Sequence, residues 1–150
     1  MRASTTLNLL LAGLAAAAPA SEPRLNQVFD ITNFSVRKDS SDRGEFIRNV
    51  NFALSGADVM ELPCNADKPG PDQVVECGVN SGFGFRLHQM GNPGTSYTVS
   101  VFHDIEGAKE MGDTTVGVYC HAGGDGPNDF VCTQVAPAAV TLDHVVPAAA

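Results

Sequence analysis

The chain has 150 residues, of which 43% are hydrophobic and 17% charged, so it can bury a sizeable core and form a single domain. Nine basic residues against 17 acidic ones give a net charge of −8. This sign opposes binding to a phosphate backbone or an anionic membrane surface, so we expect no nucleic-acid and no membrane partner.

Residues 1–20 have the pattern of a secretory signal peptide. Arg2 precedes an apolar stretch over residues 7–18, and small residues continue to Ala20. We favour cleavage after Ala20, with a cut after Ala17 as the alternative. The apolar run is too short for a membrane anchor, which needs roughly 20 residues. We therefore expect a secreted, extracellular protein with a flexible lead-in over residues 21–27 and one domain over residues 28–150.

The four cysteines are expected to form disulfides, because export passes through an oxidising compartment. Four cysteines allow three pairings. Their spacing favours Cys64 with Cys77 and Cys120 with Cys132, since each pair closes a short interval that contains turn residues. A zinc site is the alternative, but the cysteines are widely spaced and form no CxxC pair.

Runs of β-branched and aromatic residues separated by turn residues predict about nine short strands. The predicted strands cover residues 28–36, 45–54, 59–64, 73–77, 82–88, 96–103, 114–120, 130–135 and 140–146. Glycine and proline mark the turns at residues 69–71, 91–94 and 123–127. Residues 105–111 are the one segment that suggests a short helical turn. The pattern as a whole predicts an all-β fold, either an antiparallel sandwich or a barrel.

Residues 45–54 show the clearest alternation of apolar and polar side chains. One face is expected to enter the core and the other to meet solvent. The inward face comprises Phe46, Val50, Phe52 and Leu54, and the outward face comprises Glu45, Asn49 and Asn51.

Residues 118–135 read as a strand, a glycine-rich loop and a second strand, which the Cys120–Cys132 pair would bridge as a hairpin. This stretch resembles the AA1-like family, the secreted fungal proteins that include the major Alternaria allergen. The matching positions are Tyr119-Cys120, Ala122-Gly123-Gly124, Gly126-Pro127 and Asp129-Phe130-Val131-Cys132. Further agreement lies at Ile31-Thr32-Asn33-Phe34 with Arg37-Lys38, at Cys64-Asn65-Ala66-Asp67, and at Cys77-Gly78 with Asn80-Ser81.

The resemblance implies a compact antiparallel β-barrel with the two local disulfides and without enzymatic chemistry. It also implies an allergen, effector or elicitor that binds extracellular host proteins, among them thaumatin-like defence proteins. Relatives that form a covalent dimer use an additional cysteine near the mature N-terminus, and residues 21–63 contain none. We therefore expect a monomer or a non-covalent dimer.

Several polar groups invite more specific interpretations. The oxygen-bearing residues Asp125, Asn128 and Asp129 suggest calcium, but the loop lacks the spacing and closing glutamate of an EF-hand. The glycine-rich loop lacks the lysine of a phosphate-binding loop. Asn33 begins an Asn-Phe-Ser glycosylation sequon, although it lies in a predicted strand.

The histidines raise the question of catalysis. They stand at His88, His103, His121 and His144, near the acidic residues Asp104, Glu106, Asp125 and Asp143. No HExxH spacing and no GxSxG elbow accompanies them. We expect no catalytic residues, no cofactor and no metal.

Three classes of function remain. A secreted protein that recognises host proteins is the leading hypothesis. A carrier of a small flavonoid-like molecule, held in the barrel or at an interface, is the runner-up. A barrel interior filled by Phe46, Phe52, Phe85 and Phe102 would argue against the carrier. A secreted hydrolase is third, and it would require polar groups to converge in one cleft.

Overall fold

A computed structural model describes residues 26–42, 44–89, 95–105 and 108–147 of the chain. The predicted signal peptide and its cleavage site lie outside these residues, as does most of the predicted lead-in. Of the lead-in, Asn26 and Gln27 are described, and the Asn26 amide donates to the Leu142 carbonyl at 2.7 Å.

The described residues form ten β-strands, and every pairing between them is antiparallel. The strands are β1 (Gln27–Ser41), β2 (Gly44–Ser55), β3 (Leu62–Asp67), β4 (Val75–Glu76), β5 (Phe83–Gln89), β6 (Ser96–Ile105), β7 (Ala108–Ala122), β8 (Asp129–Gln134), β9 (Ala138–Leu142) and β10 (His144–Pro147). The main path runs β3-β2-β1-β8-β7-β6-β5-β4, while β9 pairs with β1 and β10 with β7. The all-β prediction is confirmed. Within the described ranges, no helix is long and apolar enough to cross a membrane.

The barrel is nearly closed, because its two end strands are joined by a disulfide. Cys64 in β3 is bonded to Cys77, which directly follows β4, and both are fully buried. Beside the bond, the Gly78 amide donates to the Pro63 carbonyl at 2.9 Å. The Cys64–Cys77 disulfide therefore holds together the seam of the barrel, although the two cysteines are only 13 positions apart in sequence.

The second disulfide, Cys120–Cys132, lies within the β7–β8 hairpin. The two cysteines occupy directly opposed positions in the ladder, with Cα atoms 3.9 Å apart. Both disulfides match the pairing predicted from the spacing, and the bridged hairpin is confirmed.

Aromatic side chains fill the interior. Phe29 meets Phe83 at 5.2 Å between ring centroids, Phe34 meets both Phe52 at 6.0 Å and Tyr97 at 5.9 Å, and Phe52 meets Phe85 at 4.9 Å. Burial, aided by the charge of Glu45, raises the pKa of Tyr97 to about 12, so its hydroxyl stays neutral. Of the four phenylalanines considered for the interior, Phe52 and Phe85 belong to the core. Phe102 is buried outside that core, with Arg86 and Lys109 over its ring.

Phe46, the fourth, was predicted wrongly and is 51% exposed. The β1–β2 register changes from Arg37 opposite Asn49 to Lys38 opposite Ile47, so Arg48 is an extra residue in β2. Such a bulge reverses the alternation of the strand. Ile47 consequently packs on the core, and Glu45 turns towards the buried Lys38 to form an ion pair.

The predicted helical turn over residues 105–111 was also wrong. Ile105 ends β6 and pairs with Ala108, the first residue of β7. The start of β7 is hydrogen-bonded on both sides, to β6 and to β10, and this pairing overrides the local helical tendency.

The predicted strand over residues 140–146 is in fact two strands. It divides at Asp143, whose amide donates to the Met111 carbonyl at 3.2 Å. The division allows β9 to pair with β1 while β10 pairs with β7.

Candidate recognition sites

The glycine-rich loop after β7 folds around the carboxylate of Asp129. Arg37 of β1 donates two hydrogen bonds to this carboxylate, from Nε to Oδ1 at 2.9 Å and from Nη2 to Oδ2 at 2.8 Å. The Asp125 amide adds a third at 3.0 Å. These bonds, led by that from Arg37, lower the pKa of Asp129 from 3.8 to about 2. The loop is thereby fixed to a strand that lies 92 residues earlier in the sequence.

Gly123 makes room for this arrangement. A Cβ atom at Gly123 would lie 2.2 Å from Oδ2 of Asp129, closer than any contact allows. Asp125 also pairs with Arg37 at 2.7 Å and with Arg48 at 3.4 Å. Asp125 and Asp129, the carboxylates that suggested calcium, therefore face guanidinium groups. The described residues contain no cluster of metal-ligating side chains. This loop stabilises the fold.

His88 forms the arrangement that most resembles a catalytic relay. Its Nε2 lies 3.2 Å from Oγ of Ser100, and its Nδ1 lies 3.6 Å from Oδ1 of Asp72. A serine nucleophile must be reached by the carbonyl that it attacks, but Ser100 is fully buried. We interpret the arrangement as a tether that holds the β3–β4 connection against β5 and β6.

The other three histidines contact different residues. The ring of His103 stacks on Phe83, and its Nδ1 lies 3.6 Å from Oε2 of the fully buried Glu110. His121 is exposed and contacts the Ala122 carbonyl. His144 is exposed and pairs with Asp143. The histidines stand on β5, β6, β7 and β10, and each has polar partners that none of the others shares among the described contacts.

A groove of about 770 Å³ opens beside β1, where β1 leaves β8 and joins β9. Residues 30–35 and 133–138 line it. The Gln134 side chain bridges the gap: it accepts the Phe34 amide at 3.1 Å and donates to the Ile31 carbonyl at 2.9 Å. Asn33 lies on the groove, exposed and with a φ of +57°.

Sequence reasoning missed the groove, although a signal for it exists. The buried positions of β1 are Phe29, Ile31, Phe34, Val36 and Lys38, so the two-residue period slips by one between Ile31 and Phe34. A slip of this kind marks a bulge. The register change between Thr32 and Ser35 lies at the same point.

Comparison with known proteins gives a consistent result. A family model described as Alternaria alternata allergen 1 matches residues 31–132, which include Arg37, Asp129 and all four cysteines. The chain is 32% identical to the effector protein PevD1 of Verticillium dahliae over 146 residues, covering 91% of this chain and 89% of the relative. It is 33% identical to the major allergen Alt a 1 of Alternaria alternata over 145 residues, covering 87% and 88%.

Solved structures show the same fold. A crystal structure of the Alternaria alternata major allergen Alt a 1 matches with a TM-score of 0.62 at 26% identity, covering 81% of this chain and 96% of that one. A second crystal structure of this allergen gives a TM-score of 0.66 at 24% identity, covering 90% and 100%.

Proposed function

This chain belongs to the Alternaria alternata allergen 1 family, and from that premise we propose that it is a secreted, extracellular protein that acts by binding host proteins, without catalysis of its own. Relatives carry the names of an effector and of allergens, which supports a role of the same type.

The filled interior is the observation that carries the proposal. The rings of Phe34, Phe52, Phe85 and Tyr97 pack against one another inside the barrel, and Phe29 packs on Phe83. A protein that keeps its core closed must act through its outer surface, and two disulfides hold that surface in one shape. A rigid scaffold lowers the ordering cost of binding a partner.

The charge of the chain supports a partner of opposite sign. With a net charge of −8, the protein would attract a basic protein and speed its encounter. Basic host defence proteins of the thaumatin-like type are the partners we propose, and neither nucleic acid nor a membrane is among them. Since no cysteine is free, self-association would be non-covalent.

Capture of secreted host proteins tests the proposal. Mature protein is immobilised with its disulfides intact, and a matched sample is reduced and alkylated. The folded sample should retain a defined set of basic proteins, including thaumatin-like ones, that the unfolded sample does not. Identical sets from both samples, or none from the folded one, would refute host-protein recognition.

A small-molecule carrier is the second candidate, and the groove beside β1 favours it. Its volume of about 770 Å³ falls within the range of roughly 300–1,000 Å³ that ligand pockets occupy. The ligand would then lie on the outside of the barrel. Titration with a flavonoid should saturate with the wild type and weaken in Gln134→Ala. Equal binding by both proteins would remove the groove from consideration.

A further inference from the structure

The most exposed large apolar side chains of the described residues lie beside the disulfide-linked seam. Met60 is 88% exposed and Val79 is 89% exposed. Met60 precedes β3 by two positions, and Val79 follows Cys77 by two. Their loops touch, because Gly78 packs so closely on Leu62 that an added Cβ would lie 2.8 Å from its side chain. We use the name seam surface for the group formed by Asp58, Met60, Glu61, Glu76 and Val79.

The loops of the seam surface are held in one conformation. The Glu61 amide donates to Ser55 Oγ at 2.9 Å, and the Gly56 amide donates to the Val59 carbonyl at 2.8 Å. Glu61 and Asn80 both adopt left-handed backbone conformations, with φ of +49° and +54°. Such a conformation is unfavourable for glutamate and persists only where the surroundings impose it. Met60 is therefore presented from a fixed backbone.

Exposed apolar side chains on a fixed backbone can anchor a protein interface. A few anchors inserted into a partner's pocket supply most of the binding energy. Methionine adapts to the shape of such a pocket. A single exposed apolar residue would need no explanation, but here two stand on adjoining loops that a disulfide ties together.

The charged residues on the two loops that carry these anchors are all acidic, and Lys109 of β7 lines a small depression beside Glu76. Residues 56–65 and 74–82 contain the acidic residues Asp58, Glu61 and Glu76 and no lysine, arginine or histidine. All three carboxylates are exposed. An apolar pair within an acidic rim complements a basic surface that carries an apolar pocket.

We propose that the seam surface is the docking site for the basic host protein, with Met60 and Val79 as its apolar anchors and the three carboxylates as its steering rim. This inference rests on the proposed function, because it identifies the surface through which that function operates.

Two double variants test the contributions of the anchors and of the rim to binding, and each has its own control. Met60→Gln with Val79→Thr removes apolar character at nearly constant size. The control is Tyr119→Thr with Val145→Thr, two residues that are 65% and 41% exposed on β7 and on its partner β10; β7 is three strands from β4 and four from β3. Asp58→Asn with Glu61→Gln removes two rim charges, and Asp113→Asn with Asp143→Asn changes the net charge equally elsewhere.

Binding is measured against a purified basic thaumatin-like protein, with an acidic one for comparison. The anchor variant should bind at least about 10-fold more weakly. The rim variant should associate more slowly and lose part of its salt dependence. Both controls should bind like the wild type. In the bound wild type, amide exchange should slow over residues 57–62 and 78–82. Equal melting temperatures of the variants verify folding.

The outcomes distinguish the two levels of the proposal. Wild-type binding that the anchor variant retains, or that the Tyr119 and Val145 control loses equally, would overturn the seam surface while leaving host-protein recognition intact. Absence of any binding by the wild type to the basic protein would count against the proposed partner and against the seam surface with it.

Discussion

Removal of the Cys64–Cys77 disulfide should open the barrel at its seam. The bond closes 13 positions of chain, for which the loop-entropy relation gives about 3 kcal/mol of stability. Cys120–Cys132 closes 12 positions, so the same relation gives about 3 kcal/mol for it as well. The global costs of Cys64→Ala with Cys77→Ala and of Cys120→Ala with Cys132→Ala should therefore be similar.

The local consequences should differ, because only one disulfide lies within a ladder. Cys120 and Cys132 are flanked by paired residues of β7 and β8, whereas no ladder joins β3 to β4. Without the seam disulfide, the bond between the Gly78 amide and the Pro63 carbonyl loses its support. Urea unfolding measures the global cost, and amide hydrogen exchange measures the local one. Gly78 should exchange much faster in the seam variant alone. Equal exchange at Gly78 in both variants would refute the assignment of barrel closure to this disulfide.

Three further predictions concern single positions. Asp129→Asn should lower the free energy of unfolding at neutral pH, and this loss should disappear between about pH 4 and pH 2. The reason is that a carboxylate whose pKa is lowered to about 2 stabilises the fold above its unfolded pKa and loses that effect as it is protonated. A loss that is unchanged at pH 2 in urea unfolding would contradict the ion pair with Arg37. Gly112→Ala should cost at least about 1–3 kcal/mol, because its Cβ would lie 1.9 Å from the Thr141 carbonyl oxygen, and an unchanged melting temperature would show that β7 and β9 are not so close. Asn33, exposed at the β1 groove, is proposed to carry a glycan when the chain is made in a secretory host, so mass spectrometry should find added sugar that Asn33→Gln lacks; an unmodified wild type would refute it.

Local chemistry was enough to predict most of the strands and both disulfides. Turn residues and runs of β-branched residues indicate the local backbone conformation. The spacing of the cysteines favoured pairing between near neighbours. The hairpin around Cys120 and Cys132 was predictable for this reason. The closure of the barrel by Cys64 and Cys77 was not, since it depends on where two distant ends of the sheet meet.

The wrong predictions concern positions whose environment depends on the pairing between strands. Phe46 was placed in the core because the alternation of residues 45–54 was extended through Arg48, where the pairing with β1 inserts a bulge. The bidentate contact between Arg37 and Asp129 joins strands that are far apart in the sequence, so no local sequence pattern predicts it. Neither Met60 nor Val79 was singled out, because exposure at a loop depends on the packing of the whole barrel.

The central claim is that this protein acts by surface recognition assisted by its negative charge. Its most direct test is a binding titration against a purified basic thaumatin-like protein across ionic strength. The wild type is compared with a variant that carries His88, His103, His121 and His144 all as glutamine. Affinity should fall steadily as salt rises, and the folded variant should follow the same curve. Affinity that does not change with salt, or loss of binding in a folded histidine-free variant, would contradict the account.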